Sequence, residues 1–121
     1  RLFILNLDDQ TYTVQNTQRG LFAGQPDQIT YLTDTDDSLL FFTEDGGDYA
    51  GIHARDRNGA FYTILEGTGE YSDETTGMTF SPDRRHLYFA YQDEGILMDV
   101  TRVDGLPFNG NSLNVKYHTY K

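Results

Sequence analysis

Short runs of aromatic and β-branched residues alternate along this chain with clusters of Asp, Asn and Gly. The interval, about eight to twelve residues, is that of all-β folds. No stretch carries the apolar period of a long helix. Gly51-Ile52-His53-Ala54-Arg55 and Ala60-Phe61-Tyr62-Thr63-Ile64-Leu65 flank Arg57-Asn58-Gly59, and Asn-Gly tolerates the positive φ of a tight turn, so this segment predicts a hairpin. Ser81-Pro82-Asp83-Arg84-Arg85 predicts a second hairpin, joining Thr75–Phe80 to His86–Tyr91, and Asp34 to Asp37 a third, joining Ile29–Leu32 to Leu39–Phe42. After Gly110, Leu113, Val115 and Tyr117 alternate on one face before the polar Thr119, which predicts a closing strand.

The last two hairpins read as copies. A shift of 47 residues lays Asp27 on Glu74, Leu40 on Leu87, Phe41 on Tyr88, Phe42 on Phe89 and Arg55 on Arg102. A partial copy stands in front, where Thr11-Tyr12-Thr13-Val14 resembles Phe61-Tyr62-Thr63-Ile64. A period of about 40 to 50 residues with four short strands is the signature of a β-propeller blade. The expected fold is therefore all-β, with about two and a half four-stranded blades of a larger ring. Residues 1–15 would be the outer strands of one blade, 16–24 a connection, 25–66 a complete blade, 67–73 a connection and 74–121 a second complete blade. A ring closes with about four to eight blades, each burying its faces against neighbours. The expected partners are thus the remaining blades, from a longer parent chain or from other subunits, covering faces rich in Phe and Tyr. A stand-alone β-sandwich of ten short strands is the alternative.

Composition narrows the chemistry. The 121 residues amount to one domain at most, or part of one. The chain has no Cys, which excludes disulfides, thiolate metal sites and Cys nucleophiles. A net charge of −10 with no basic cluster argues against nucleic acid and anionic membrane surfaces and favours cations or basic partners. No apolar run reaches the roughly 18 to 20 residues of a membrane-spanning helix. The first residue is Arg1, which predicts a processed product or an excerpt. Neither a Gly-x-Ser-x-Gly elbow nor a P-loop is present, so serine nucleophilic catalysis is disfavoured.

Four segments in order, Gly24-Gln25-Pro26-Asp27-Gln28-Ile29, Leu40-Phe41-Phe42-Thr43-Glu44-Asp45-Gly46-Gly47, Asp73-Glu74-Thr75-Thr76-Gly77-Met78-Thr79-Phe80-Ser81-Pro82-Asp83 and Asp99-Val100-Thr101-Arg102-Val103-Asp104-Gly105-Leu106-Pro107-Phe108, resemble the PhoX-like alkaline phosphatases and their microbial and algal relatives. The resemblance runs from about residue 21 to residue 118. It implies the C-terminal part of a six-bladed propeller, an extracellular or periplasmic location, calcium and iron ions held on the axis by acidic residues, and metal-assisted hydrolysis of a phosphoester substrate. The family's full-length enzymes place a cysteine and a tryptophan near the metals, and this chain has neither.

In a propeller the entrances of the innermost strands converge on the axis, so Asp27 and Glu74, each just before such a strand, are the expected metal ligands. Close carboxylates are costly unless protonated or bridged by a cation, and calcium accepts six to eight oxygens with loose geometry. The competing reading has each acid capping its own turn. Asp45, with Glu44 before Gly46-Gly47, reads as a turn acid, and Asp34, Asp36 and Asp37 as a solvated turn. Arg55 and Arg102 are expected to pair with acids between blades, and His53, His86 and His118 to sit on strand surfaces. Three functions follow: a calcium-dependent phosphomonoesterase, a non-catalytic extracellular structural or adhesion propeller, and an acidic module that recruits a basic or cationic partner.

Overall fold

The computed structural model of the chain describes residues 1–15, 25–31, 39–47, 49–67, 71 and 73–108. The expected turn at Asp34 to Asp37, the connection at 16–24 and the expected closing strand after Gly110, with His118, lie outside these residues. The described residues form nine strands: β1 (Leu2–Asn6), β2 (Thr11–Gln15), β3 (Gln25–Tyr31), β4 (Leu40–Asp45), β5 (Gly51–Arg55), β6 (Phe61–Glu66), β7 (Thr75–Phe80), β8 (His86–Tyr91) and β9 (Ile96–Thr101). They make three antiparallel sheets, β1-β2, β3-β4-β5-β6 and β7-β8-β9, in which neighbouring strands are consecutive in sequence. Three sheets stand where the sandwich alternative has two.

Turn chemistry sets the hairpins. Between β5 and β6 the Asp56 amide bonds to the Ala60 carbonyl and the Asp56 carboxylate accepts from the Ala60 amide, at 2.9 and 2.8 Å. Gly59 carries the positive φ of this turn, 92°, which a side chain would resist. Between β7 and β8, Ser81 accepts the Arg84 amide on its carbonyl and the His86 amide on its hydroxyl, while that hydroxyl donates to Asp83. Hydrogen bonds from Ser81 and the Arg85 amide hold the Asp83 carboxyl below its ordinary range.

Alternation along the strands sorts side chains to two faces. On the second sheet Phe41, Ile52 and Ala54 face the third sheet, where Met78, Leu87, Phe89 and Tyr91 meet them, and the Phe41 and Phe80 rings cross edge to face at 4.9 Å. Phe42 faces the other way and packs with Leu2 of β1, flanked by Leu40 and Phe61. Gln15 of β2 adds a 2.7 Å hydrogen bond from Arg55 Nε. The middle strands β4 and β5 are consequently buried on both faces. The sheets are unevenly spaced. β7 lies close to β3 and β4, so the second and third sheets approach most closely along their first strands. The β1-β2 hairpin is joined to the second sheet by the side chains just named.

The repeat keeps its faces where the shift of 47 applies: Phe42 and Phe89 both turn toward the preceding sheet. It changes elsewhere. Leu40 pairs with Tyr31 and Arg55, and Leu87 with Phe80 and Val100. The first strands are therefore offset by 49 residues and the third by 45, so Asp27 corresponds to Thr76 rather than Glu74, and Arg55 to Val100 rather than Arg102. The partial copy in front is likewise displaced, because Tyr62 turns toward the third sheet whereas Tyr12 turns away from the second.

Truncating a ring held between two sheets leaves a cavity, while truncating one on the outer face of the hairpin does not. Phe41→Ala is expected to lower unfolding free energy by about 3 to 5 kcal/mol, and Phe3→Ala by about 0.5 kcal/mol or less, measured by urea denaturation.

Candidate functional site

Two polar clusters lie at the end of the sheets where β3 and β7 begin. The first is buried. Glu44 and His53, on the same face of adjacent strands β4 and β5 with His53 opposite Phe42, are closed off from solvent, and His53 Nε2 donates to Glu44 Oε2 at 2.9 Å. His53 Nδ1 meets the Thr63 hydroxyl at 3.2 Å, and the Gly51 amide donates to Glu44 Oε2. Thr75, the first residue of β7 and also fully buried, accepts from the Glu44 amide at 2.9 Å and donates to the Gly51 carbonyl at 2.8 Å. One hydroxyl of the third sheet thereby serves two backbone groups of the second, groups that would be costly to bury without partners.

The second cluster is open to solvent. Asp27 sits in β3 where its register shifts, Asp45 ends β4 before two glycines with positive φ, and Asp93 lies in the turn between β8 and β9. Glu74 immediately precedes β7 and is half-buried, accepting from Gln92 Nε2 at 3.1 Å. Partial desolvation, then the negative charges of Asp45, Asp27 and Asp93, raise the Glu74 carboxyl above its ordinary 4.5. Glu94, next to Asp93, has its Oε2 enclosed without a hydrogen-bond partner among the described residues. The two acids expected from the sequence are thus electrostatic neighbours although they are not repeat equivalents. Among the described residues no three His, Asp or Glu side chains stand close enough together to hold one metal ion.

Other residues singled out in the sequence serve local structure. Arg102 lies past the end of β9 and forks onto Asp104 in the following turn. That contact, with the Leu106 amide, pulls the Asp104 carboxyl down to about 2. Arg55 does reach across sheets, but to the amide oxygen of Gln15. His86 is a strand-surface residue, bonded to Asp99 at 2.8 Å and stacked on Tyr88. His53 is not: it is the centre of the buried cluster. Alternation was the signal for it, since Glu44 and His53 share the inward face of Phe42. Neither a protein-family model, nor a curated protein, nor a solved structure matches this chain.

Thr75→Val keeps the shape and strands two buried backbone groups, so it is expected to cost about 2 kcal/mol or more, with Thr75→Ser recovering most of it, by denaturant titration. For Glu74 the raised folded pKa means that the native state holds its proton more tightly; its contribution is favourable below pH 4.5 and is lost as pH rises through the folded value. Glu74→Gln should therefore raise the melting temperature at pH 7 and leave it unchanged at pH 3. Asp104 has the opposite sign, with its contribution present above 3.8 and lost as pH falls toward 2, so Asp104→Asn should lower melting temperature at pH 6 alone.

Proposed function

We propose that the chain is a run of blades from a β-propeller of the PhoX-like kind, whose acidic rim attracts calcium in the complete ring. The electrostatic crowding of Glu74 carries this reading: the charges of Asp45 and Asp27 from the second sheet and of Asp93 from the third act on it together, a repulsion that a hard cation would relieve. Two further observations support it. The first strands approach while the outer hairpin is held at arm's length by side chains, as wedge-shaped blades around a hole require. The enclosed Glu94 Oε2 is an oxygen donor in search of a partner.

The donor set fits calcium in kind, being all oxygen, but the described residues do not complete a coordination shell. The remaining ligands would come from other blades, the expected partners of this chain. Iron rests on the resemblance alone, as do the extracellular or periplasmic location and turnover of a phosphoester. Where bound, such cations would offset phosphate charge and activate the attacking oxygen; the contribution of this chain is to hold Asp27 and Glu74 at the mouth.

A non-catalytic structural propeller is the second reading, favoured by the Thr75 cluster, which commits its buried polar groups to joining sheets. Calcium titration monitored by thermal melting tests the cation site. A saturable upward shift in the intact protein, absent in Asp27→Asn/Glu74→Gln, is expected; no shift overturns the site. Hydrolysis of a chromogenic phosphomonoester, abolished by chelator, separates the phosphatase from the structural reading, which predicts the melting shift without turnover.

A further inference from the structure

Arg57-Asn58-Gly59 forms the β5-β6 turn, and nothing in the functions considered above uses it. Asn58 is exposed there, and among the described residues its carboxamide makes no hydrogen bond. Asn6, at the β1-β2 turn, is the contrast: its Nδ2 donates to Asp9, its Oδ1 accepts from the Asp8 and Asp9 amides, and the bulky Leu7 follows it. Gly59 has no Cβ to crowd an approach to its own amide nitrogen. Arg55 lies against it. The guanidinium gives Nε to Gln15 and Nη1 to the Asp56 carbonyl, at 2.7 and 2.9 Å, and its Nη2 stands 3.2 Å from where a side chain on Gly59 would begin.

We infer that Asn58-Gly59 is a site of spontaneous self-modification, in which the Gly59 amide nitrogen closes on the Asn58 carboxamide with assistance from the Arg55 guanidinium. The hydrogen bond from the Gly59 amide to the Asp56 carbonyl, at 3.2 Å, is the contact that has to open first. The nitrogen then loses its proton to solvent base and forms a bond to Asn58 Cγ, whose oxygen takes up the negative charge. The Cγ–Nδ2 bond breaks, and ammonia leaves with a proton from water. Water opens the resulting cyclic imide at either carbonyl, leaving an aspartyl or an isoaspartyl residue at position 58. Arginine keeps its charge at every working pH, so its guanidinium stabilises both the deprotonated nitrogen and the oxyanion that follows. Either product adds a negative charge to a chain already at −10. The isoaspartyl form also lengthens the main chain, in a turn where Asp56 and Ala60 are bonded twice, at 2.9 and 2.8 Å. Neither ring closure nor cation binding enters this chemistry.

Incubation of the intact protein in mildly alkaline buffer, followed by peptide mapping with mass spectrometry, tests it. Asn58 is expected to convert at least as fast in the folded protein as in the same chain unfolded in urea, while Asn6 stays intact. Arg55→Gln should slow conversion in the folded protein by about threefold or more and leave the rate in urea unchanged, and Arg55→Lys should keep most of the parent rate. Severalfold protection of Asn58 by folding overturns the inference. So does conversion of Asn6 at a matching rate, or an Arg55→Gln protein that converts as fast as its parent.

Discussion

A sheet whose two faces are both apolar has to be enclosed on both sides, and this requirement on β3-β4-β5-β6 governs the arrangement of everything around it. Phe41, Ile52 and Ala54 on one face and Phe42 on the other are almost entirely removed from water. Neither neighbouring sheet is large, but each contributes what the central one lacks: the third a layer of Met78, Leu87 and Phe89, the first Leu2 and the Gln15 amide. At about 25 cal/mol per Å² of apolar area, such burial is the principal favourable term available to a chain without disulfides.

The polar clusters are consequences of that enclosure. Where two sheets close together along their first strands, backbone groups at the end of β4 and the start of β5 lose water, and Thr75 replaces it. Just outside, Glu74 feels the charges of Asp45 and Asp27 from the second sheet and of Asp93 from the third. One closure thus produces a dry, fully bonded network and a wet, self-repelling one side by side. The first suits a structural joint.

Much of the architecture was legible in the sequence, because period-two alternation and Asn/Asp/Gly turns are local signals. The hairpins at Arg57-Asn58-Gly59 and Ser81–Arg85 form where the turn chemistry puts them. Register was less legible. Connection lengths change the count: Leu40 follows Tyr31 by nine residues but Leu87 follows Phe80 by seven, and Arg55 follows Leu40 by fifteen but Val100 follows Leu87 by thirteen, so no uniform shift represents all three strands. Hence Asp27 and Glu74 came out as neighbours by proximity in space and not by repeat position. His53 departs from its expected surface position for a different reason: a lone polar residue in a strand reads as surface, and its burial depends on a partner on the preceding strand, Glu44.

The middle strands carry a consequence for how this sequence can drift over generations. On an ordinary half-exposed strand every second position is free to vary; on β4 and β5 none of Phe41, Phe42, Thr43, Ile52, His53 or Ala54 has a lenient side. Changes accepted there must be compensated in a neighbouring sheet, whereas β9, with Leu97 and Asp99 facing outward, can accumulate them singly. Among diverged homologues the second sheet would then stay recognisable longest.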